Sequence, residues 1–265
     1  MTRVRLGAVG YLNARPCVAG LDRHSRFDLR FDLPARCADL LHEGAIDVGL
    51  IPSIEYLRNP SAAAPYRIVP GVAIASMGTV ASVALYTKRP IAEVRSIALD
   101  TSSRTSVALT RVLCARAFGI DPALEPSGPD LTAMLDRCDA ALLIGDGALL
   151  SEGGVGVEKI DLGETWTRLT GLPFVYAFWA GRAGALGADD VRALQKARDM
   201  GVSGSDQVAR EYFVDPALQA VAARYLRDNI KYSLGEQERA GLSTFYQYAA
   251  DIGLVPDPGE LRFYE

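Results

Sequence analysis

Ser96-Ile97-Ala98-Leu99-Asp100-Thr101-Ser102-Ser103-Arg104-Thr105-Ser106-Val107 is the stretch that decides the fold. Ser96 to Leu99 reads as a short strand and Asp100 to Ser103 as a polar loop. Arg104 opens a helix that runs to Phe118 and stops at Gly119. The same strand–turn–helix order has already occurred at the start of the chain. There Leu6 to Val9 reads as a buried strand, and Asn13 stands where it can cap a helix over Ala14 to Leu21, with Pro16 in its first turn. Phe27 to Leu33 alternates with period two. Ala35 to Glu43 is an amphipathic helix ended by Gly44, Ile46 to Ile51 is a strand, and Pro52-Ser53 opens a short helix through Leu57. A βα series that starts twice, with no Gly/Ser linker between, predicts an α/β protein of two lobes.

The connections place the lobes. Arg67 to Ser76 and Ala81 to Thr87 are extended, so the chain is expected to leave lobe one near residue 83. Strands at Asp139 to Ile144 and Phe174 to Ala180 follow, and the chain is expected to return near 174. Lobe one would then hold residues 1–83 and 175–265, including an almost wholly helical tail over 188–253, and lobe two residues 84–174. Small ligands favour the cleft between such lobes, at the carboxyl ends of strands.

Composition narrows the function. Of 265 residues 49% are apolar and 23% charged, and the net charge of −4 lacks the basic surplus of a nucleic-acid binder. No apolar run approaches the ~20 residues of a membrane span, and no secretory leader is legible, so a cytoplasmic protein is expected. The four cysteines stand apart with no CxxC, as for reduced, buried thiols. The two histidines, His24 and His42, read as an exposed loop residue and an exposed helix residue, which leaves little for metal or Ser/His chemistry. Neither a GxGxxG after the first strand nor a Walker pattern is present.

The strand-to-helix turns gather the polar residues. They are Tyr11-Leu12-Asn13, Pro52-Ser53, Ser76-Met77-Gly78-Thr79 with Ser82 after it, Ser103-Arg104-Thr105-Ser106, and Gly145-Asp146. Each has a plain structural reading: Ser103, Thr105, Ser106, Asn13 and Asp146 as helix caps, and Ser76 and Ser82 as strand-end hydroxyls. Five polar turns at equivalent strand ends are more than separate caps require. Hydroxyls and free amides at helix starts suit a small anion.

Several of these turns lie in longer blocks. They are Gly10-Tyr11-Leu12-Asn13-Ala14-Arg15-Pro16, Asp47-Val48-Gly49-Leu50-Ile51-Pro52-Ser53-Ile54-Glu55-Tyr56, Ser103-Arg104-Thr105-Ser106-Val107, Ile144-Gly145-Asp146-Gly147-Ala148, Asp161-Leu162-Gly163-Glu164-Thr165-Trp166 and Thr170-Gly171-Leu172-Pro173-Phe174-Val175-Tyr176-Ala177. Together they resemble the chorismate dehydratase family of the futalosine route to menaquinone. The resemblance implies a type II periplasmic-binding-protein-like fold and conversion of chorismate, a dianion, to 3-[(1-carboxyvinyl)oxy]benzoate and water. It implies no metal and no organic cofactor. A sibling family of the same pathway, which releases dihydroxynaphthoate, is similar at the turn after Ile144 but carries a catalytic His where this chain has Gly145. A cytoplasmic small-anion binding protein of the same fold is the reading from another class.

Within that resemblance, Ser103, Arg104, Thr105 and Ser106 are expected to receive one substrate carboxylate, and Ser53, Ser76, Gly78 and Ser82 the other. Gly145 lines the site, and Asn13 bonds the leaving hydroxyl or the enol ether. For the base there are three candidates: Asp146, Glu55, and the substrate's own enolpyruvyl carboxylate.

Overall fold

The computed structural model describes residues 3–59 and 65–265. Among the described residues ten strands form two five-stranded sheets. The first sheet holds β1 (Val4–Val9), β2 (Phe27–Asp32), β3 (Val48–Pro52), β4 (Arg67–Ser76) and β10 (Phe174–Gly181), in the order β2-β1-β3-β10-β4. The second holds β5 (Val83–Thr87), β6 (Ser96–Asp100), β7 (Ala123–Ser127), β8 (Ala140–Ile144) and β9 (Glu158–Asp161), in the order β7-β6-β8-β5-β9. In each sheet the early strands pair in parallel, β1 with β2 and β3, and β6 with β7 and β8. Strands that follow a crossing pair antiparallel: β10 with β3 and β4, and β5 with β8 and β9. Strands covered on both faces read as apolar runs, and every residue of β3, β5, β8 and β10 is buried.

Local chemistry sets the helices. α1 (Pro34–Glu43) begins on a proline and ends at Gly44, whose φ of 77° is the left-handed cap conformation. α2 (Arg104–Leu113) is capped by Ser103, and a π-helical turn over Cys114–Phe118 carries it to Gly119. α3 (Leu131–Arg137) is capped by Asp130, α4 (Gly145–Leu150) follows β8 directly, and α5 (Leu162–Thr170) is capped by Asp161. The tail supplies α6 (Ala188–Ser203), α7 (Ser205–Tyr212), α8 (Pro216–Asp228) and α9 (Glu236–Asp251). It packs on the first sheet. Tyr246 on α9 donates to the Ser53 carbonyl at 2.5 Å, and Tyr264 extends the β4 edge by donating to the Ile68 carbonyl at 3.0 Å. The four cysteines are buried and unbridged.

Two expectations are corrected, and one strand is added. Asn13 does not cap an α-helix: Leu12–Val18 is a 3-10 segment with Tyr11 at its start, and Pro16 lies inside it. Proline brings no N–H and crowds the carbonyl four residues back, so the chain keeps the tighter turn. Asp146 does not cap α4 either, since Ile144 holds that position. Strand β7 was not foreseen, because Ala-Leu-Glu-Pro-Ser is mostly exposed and does not alternate. It is an edge strand, where Pro126 costs no ladder bond.

Helix α6 crosses the 3-10 segment at Gly201, where a Cβ would overlap the Pro16 carbonyl. Gly201→Ala therefore has to move backbone rather than a side chain. A loss of about 3 kcal/mol is expected, read as a lower denaturant midpoint at unchanged slope.

Candidate active site

A pocket opens between the two sheets at the carboxyl ends of β1, β3, β6 and β8, the place such folds keep for ligands. Val9, Tyr11 and Asn13 come from the turn after β1, and Ser103 and Ser106 from the start of α2. Ile144 and Gly145 come from the β8–α4 junction, Ser82 from the crossing, and Tyr176 from β10. Its free volume is about 40 Å³, roughly one water molecule. Ligand sites for drug-sized molecules run to roughly 300 Å³ or more, so the cleft is closed.

Five expected residues therefore meet in one pocket: Asn13, Ser82, Ser103, Ser106 and Gly145. Ser103 accepts the Ser106 amide at 3.4 Å, and the two hydroxyls lie 3.1 Å apart. Ser82 accepts a hydrogen bond from the buried Tyr225 hydroxyl at 2.7 Å. Gly145 has φ +65°, and a Cβ there would lie 3.1 Å from the Tyr11 ring.

The other six expected residues do not line the pocket. Ser53 donates to the Val175 carbonyl at 2.8 Å, and Thr105 accepts the Ile54 amide at 3.2 Å. Ser76 faces the Tyr176 hydroxyl at 3.1 Å, and the Gly78 amide donates to Thr167 Oγ1 at 2.8 Å. Arg104 is bound to Glu55 at 2.9 Å and to Asp39 at 2.7 Å. Asp146 accepts the Leu12 amide at 3.2 Å and the Tyr212 hydroxyl. These groups hold elements together around the pocket.

Glu55 is the tightest such hub, with only 2% of its side chain exposed. Besides Arg104 it binds Arg58 at 2.9 Å and His42 Nε2 at 3.1 Å. His42 is thus half-buried, not exposed, and its other nitrogen meets the Tyr66 hydroxyl at 2.8 Å. Its helix face packs beside the 3-10 turn that carries Glu55, which a helical period alone does not reveal. Burial pushes the Glu55 carboxyl up, but His42, Arg104 and Arg58 outweigh it and hold the pKa at about 2. So weak a base does not suit C–H proton abstraction.

Three further groups shape the site and were missed from sequence. Asp161, at the cap of α5, also accepts the Val80 amide at 3.1 Å and the Ala81 amide at 2.6 Å. This fixes the crossing turn, where Ala81 takes a φ of 64°, uncommon for a residue with a Cβ. The turn delivers Ser82 to the pocket. Tyr176 lies within a block already quoted, whereas Tyr225 comes from a tail helix with no local signal. Among the described pocket-lining residues there is no Asp, Glu, His, Lys, Arg or Cys. Burial raises the phenol pKa of Tyr11 and Tyr176, so both are neutral donors near neutral pH.

Over residues 4–251 the chain matches the family described as menaquinone biosynthesis. The chain belongs to this family. A chorismate dehydratase from Thermus thermophilus is 30% identical over 264 residues, covering 87% of this chain and 94% of that protein. A crystal structure of a protein from Archaeoglobus fulgidus superposes with a TM-score of 0.76 at 18% identity, covering 96% of this chain and 98% of that one. The alkanesulfonate-binding protein SsuA of Xanthomonas axonopodis pv. citri, bound to MOPS, gives 0.68 at 17% identity over 97% and 95%. The family member described here thus has the periplasmic-binding-protein fold, with two α/β lobes. Among the described residues no helix is long and apolar enough to cross a membrane.

Two substitutions test this geometry. Gly145→Ala adds a Cβ in the left-handed region against Tyr11, and a stability loss of about 1–2 kcal/mol in denaturant titration is expected. Glu55 is held below its ordinary value of 4.5, so its contribution is complete above that pH and is lost as the pH falls towards about 2. Glu55→Gln should cost about 3 kcal/mol at pH 7, with the gap to the wild type narrowing through that acid window in pH-dependent unfolding.

Proposed function

We propose that this protein is a chorismate dehydratase. It converts chorismate to 3-[(1-carboxyvinyl)oxy]benzoate and water, without a cofactor, in the cytoplasm, on the futalosine route to menaquinone. The observation that carries the reading is the match to the Thermus enzyme along nearly the whole length of both chains. The pocket supports it. Hydroxyls and amides at the start of α2 suit one carboxylate of a dianion, and Ser103 and Ser106 line the pocket there. The resemblance sets Gly145 against the histidine of the dihydroxynaphthoate-forming sibling, and a Cβ at Gly145 would crowd the Tyr11 ring at 3.1 Å.

The chemistry fits a pocket whose described walls offer no carboxylate or imidazole. The enolpyruvyl carboxylate is tethered through its ether to the ring carbon that loses hydrogen. One of its oxygens takes that proton, and the C–H electron pair becomes the new ring double bond. The C–O bond to the neighbouring hydroxyl breaks, and the carboxylic acid returns its proton to the departing hydroxide as water. The ring becomes aromatic, so the enzyme's task is to hold one conformer and to stabilise the leaving oxygen. In this reading Asn13 and the Ser82–Tyr225 pair, which lie in or beside the pocket, do the latter. Ser53, Ser76, Gly78, Thr105 and Arg104 act from behind, by fixing the elements that carry these groups.

Incubation with chorismate decides between enzyme and receptor. Release of the aromatic product is expected, whereas saturable binding without turnover would assign the chain to ligand binding alone. Asn13→Ala should lower kcat about a hundredfold with a smaller change in KM, and Ser106→Ala should raise KM about tenfold.

A further inference from the structure

Besides the docking of α2 on Glu55, a second set of bonds spans the cleft around the turn after β1. Asp146, on α4, accepts the Leu12 amide with Oδ1 at 3.2 Å and the Tyr212 hydroxyl with Oδ2. The same Tyr212 hydroxyl lies 3.2 Å from the Gly10 carbonyl. The Arg15 guanidinium sits 5.2 Å from the Tyr212 ring centroid and donates to Gly10 O at 3.2 Å. On the neighbouring turn, Ser102 accepts the Tyr11 hydroxyl at 3.2 Å and, through its carbonyl, the Ala35 amide at 3.0 Å. Gly10, Tyr11, Leu12 and the segment carrying Asn13 are thereby tied to the opposite sheet.

The sheet order says which side of the cleft this is. The chain crosses between the sheets next to β4 and β10, whereas β1 is separated from β4 by β3 and β10. On the first sheet these bonds end two strands from the crossings; on the second, Asp146 follows β8, the neighbour of the crossing strand β5, and Ser102 follows β6, one strand further out. Lobes that hinge at the crossings part along this line, most at the Ser102 end. The roughly 40 Å³ inside is too small for a six-membered ring, so the cleft has to widen to admit one.

We propose that Asp146 is the latch of this cleft, a positioning residue whose carboxylate joins the two lobes in the closed form. Tyr212 is its partner. By fixing the Leu12 amide, Asp146 sets the adjacent Asn13 in the pocket and acts on the reaction through that residue. It does not line the pocket and takes no proton from the substrate. The kinetic half of this inference rests on the chorismate reading; the conformational half does not.

Asp146→Asn, Tyr212→Phe and the double variant test it. Tyr212→Phe removes a single hydroxyl and keeps the test open if the other change prevents folding. In small-angle scattering without ligand, each variant should show a larger radius of gyration than the wild type. With chorismate, each should raise KM about tenfold with a smaller fall in kcat. The double variant should be no worse than the worse single, because both changes remove one device. An unchanged radius of gyration overturns the latch whether or not chorismate is the substrate. A hundredfold or greater fall in kcat for Asp146→Asn, with Tyr212→Phe like the wild type, overturns it in favour of a base.

Discussion

A carboxylate with 2% of its side chain exposed stays ionised only where cations and hydrogen-bond partners surround it, and Glu55 draws its partners from three places. His42 comes from α1, Arg58 from the chain just after the 3-10 turn, and Arg104 from the first turn of α2 on the other sheet. The last fixes how the halves meet. Arg104 and Thr105 are spent on docking α2 against the turn at Ser53–Tyr56. One residue either side, Ser103 and Ser106 are thereby presented to the pocket. A cation at a helix start is unfavourable in isolation. Here two carboxylates, Glu55 and Asp39, offset it.

The crossings do for Ser82 what Glu55 does for α2. Asp161 caps α5 and binds two successive amides of the turn that passes between sheets. Those amides let Ala81 hold a left-handed backbone, and the next residue enters the pocket. Burial raises the Asp161 carboxyl pKa against the pull of its amide partners, a cost the surrounding structure bears to keep the turn. Ser82 then meets Tyr225 from α8, so the tail completes the wall that the strand turns begin.

Strand ends were the legible part of this site. Period-two alternation and glycine stops locate β1, β2, α1, β6 and α2 closely, and reading the turns in order finds Asn13, Ser82, Ser103, Ser106 and Gly145. The same reasoning cannot tell which hydroxyl faces a cleft and which faces a neighbouring element. Ser53 and Ser103 both follow a strand, yet one donates to a β10 carbonyl and the other lines the pocket. That choice is made by long-range contacts, 122 residues apart in the case of Ser53 and Val175. Tyr212, Tyr225 and His42 escape for the same reason, since helical periodicity shows a face but not what stands opposite it.

A receptor and a dehydratase on this fold need almost the same things from it: a helix start for an anion, hydroxyls at strand ends, and lobes that close. What separates them in the proposed reaction is the substrate's conformer. An anion receptor is indifferent to where a second carboxylate rests once it is neutralised. The elimination requires that carboxylate to lie against the ring hydrogen while the leaving hydroxyl meets a donor. A wall of neutral groups favours that outcome, because a lysine or arginine in the pocket would hold the enolpyruvyl carboxylate and lower its basicity. Arg104 and Arg15, beside pocket-lining residues in the sequence, are turned into structural contacts instead. On this reading the absence of charged side chains from the described pocket lining is what leaves the substrate's carboxylate free to act as the base.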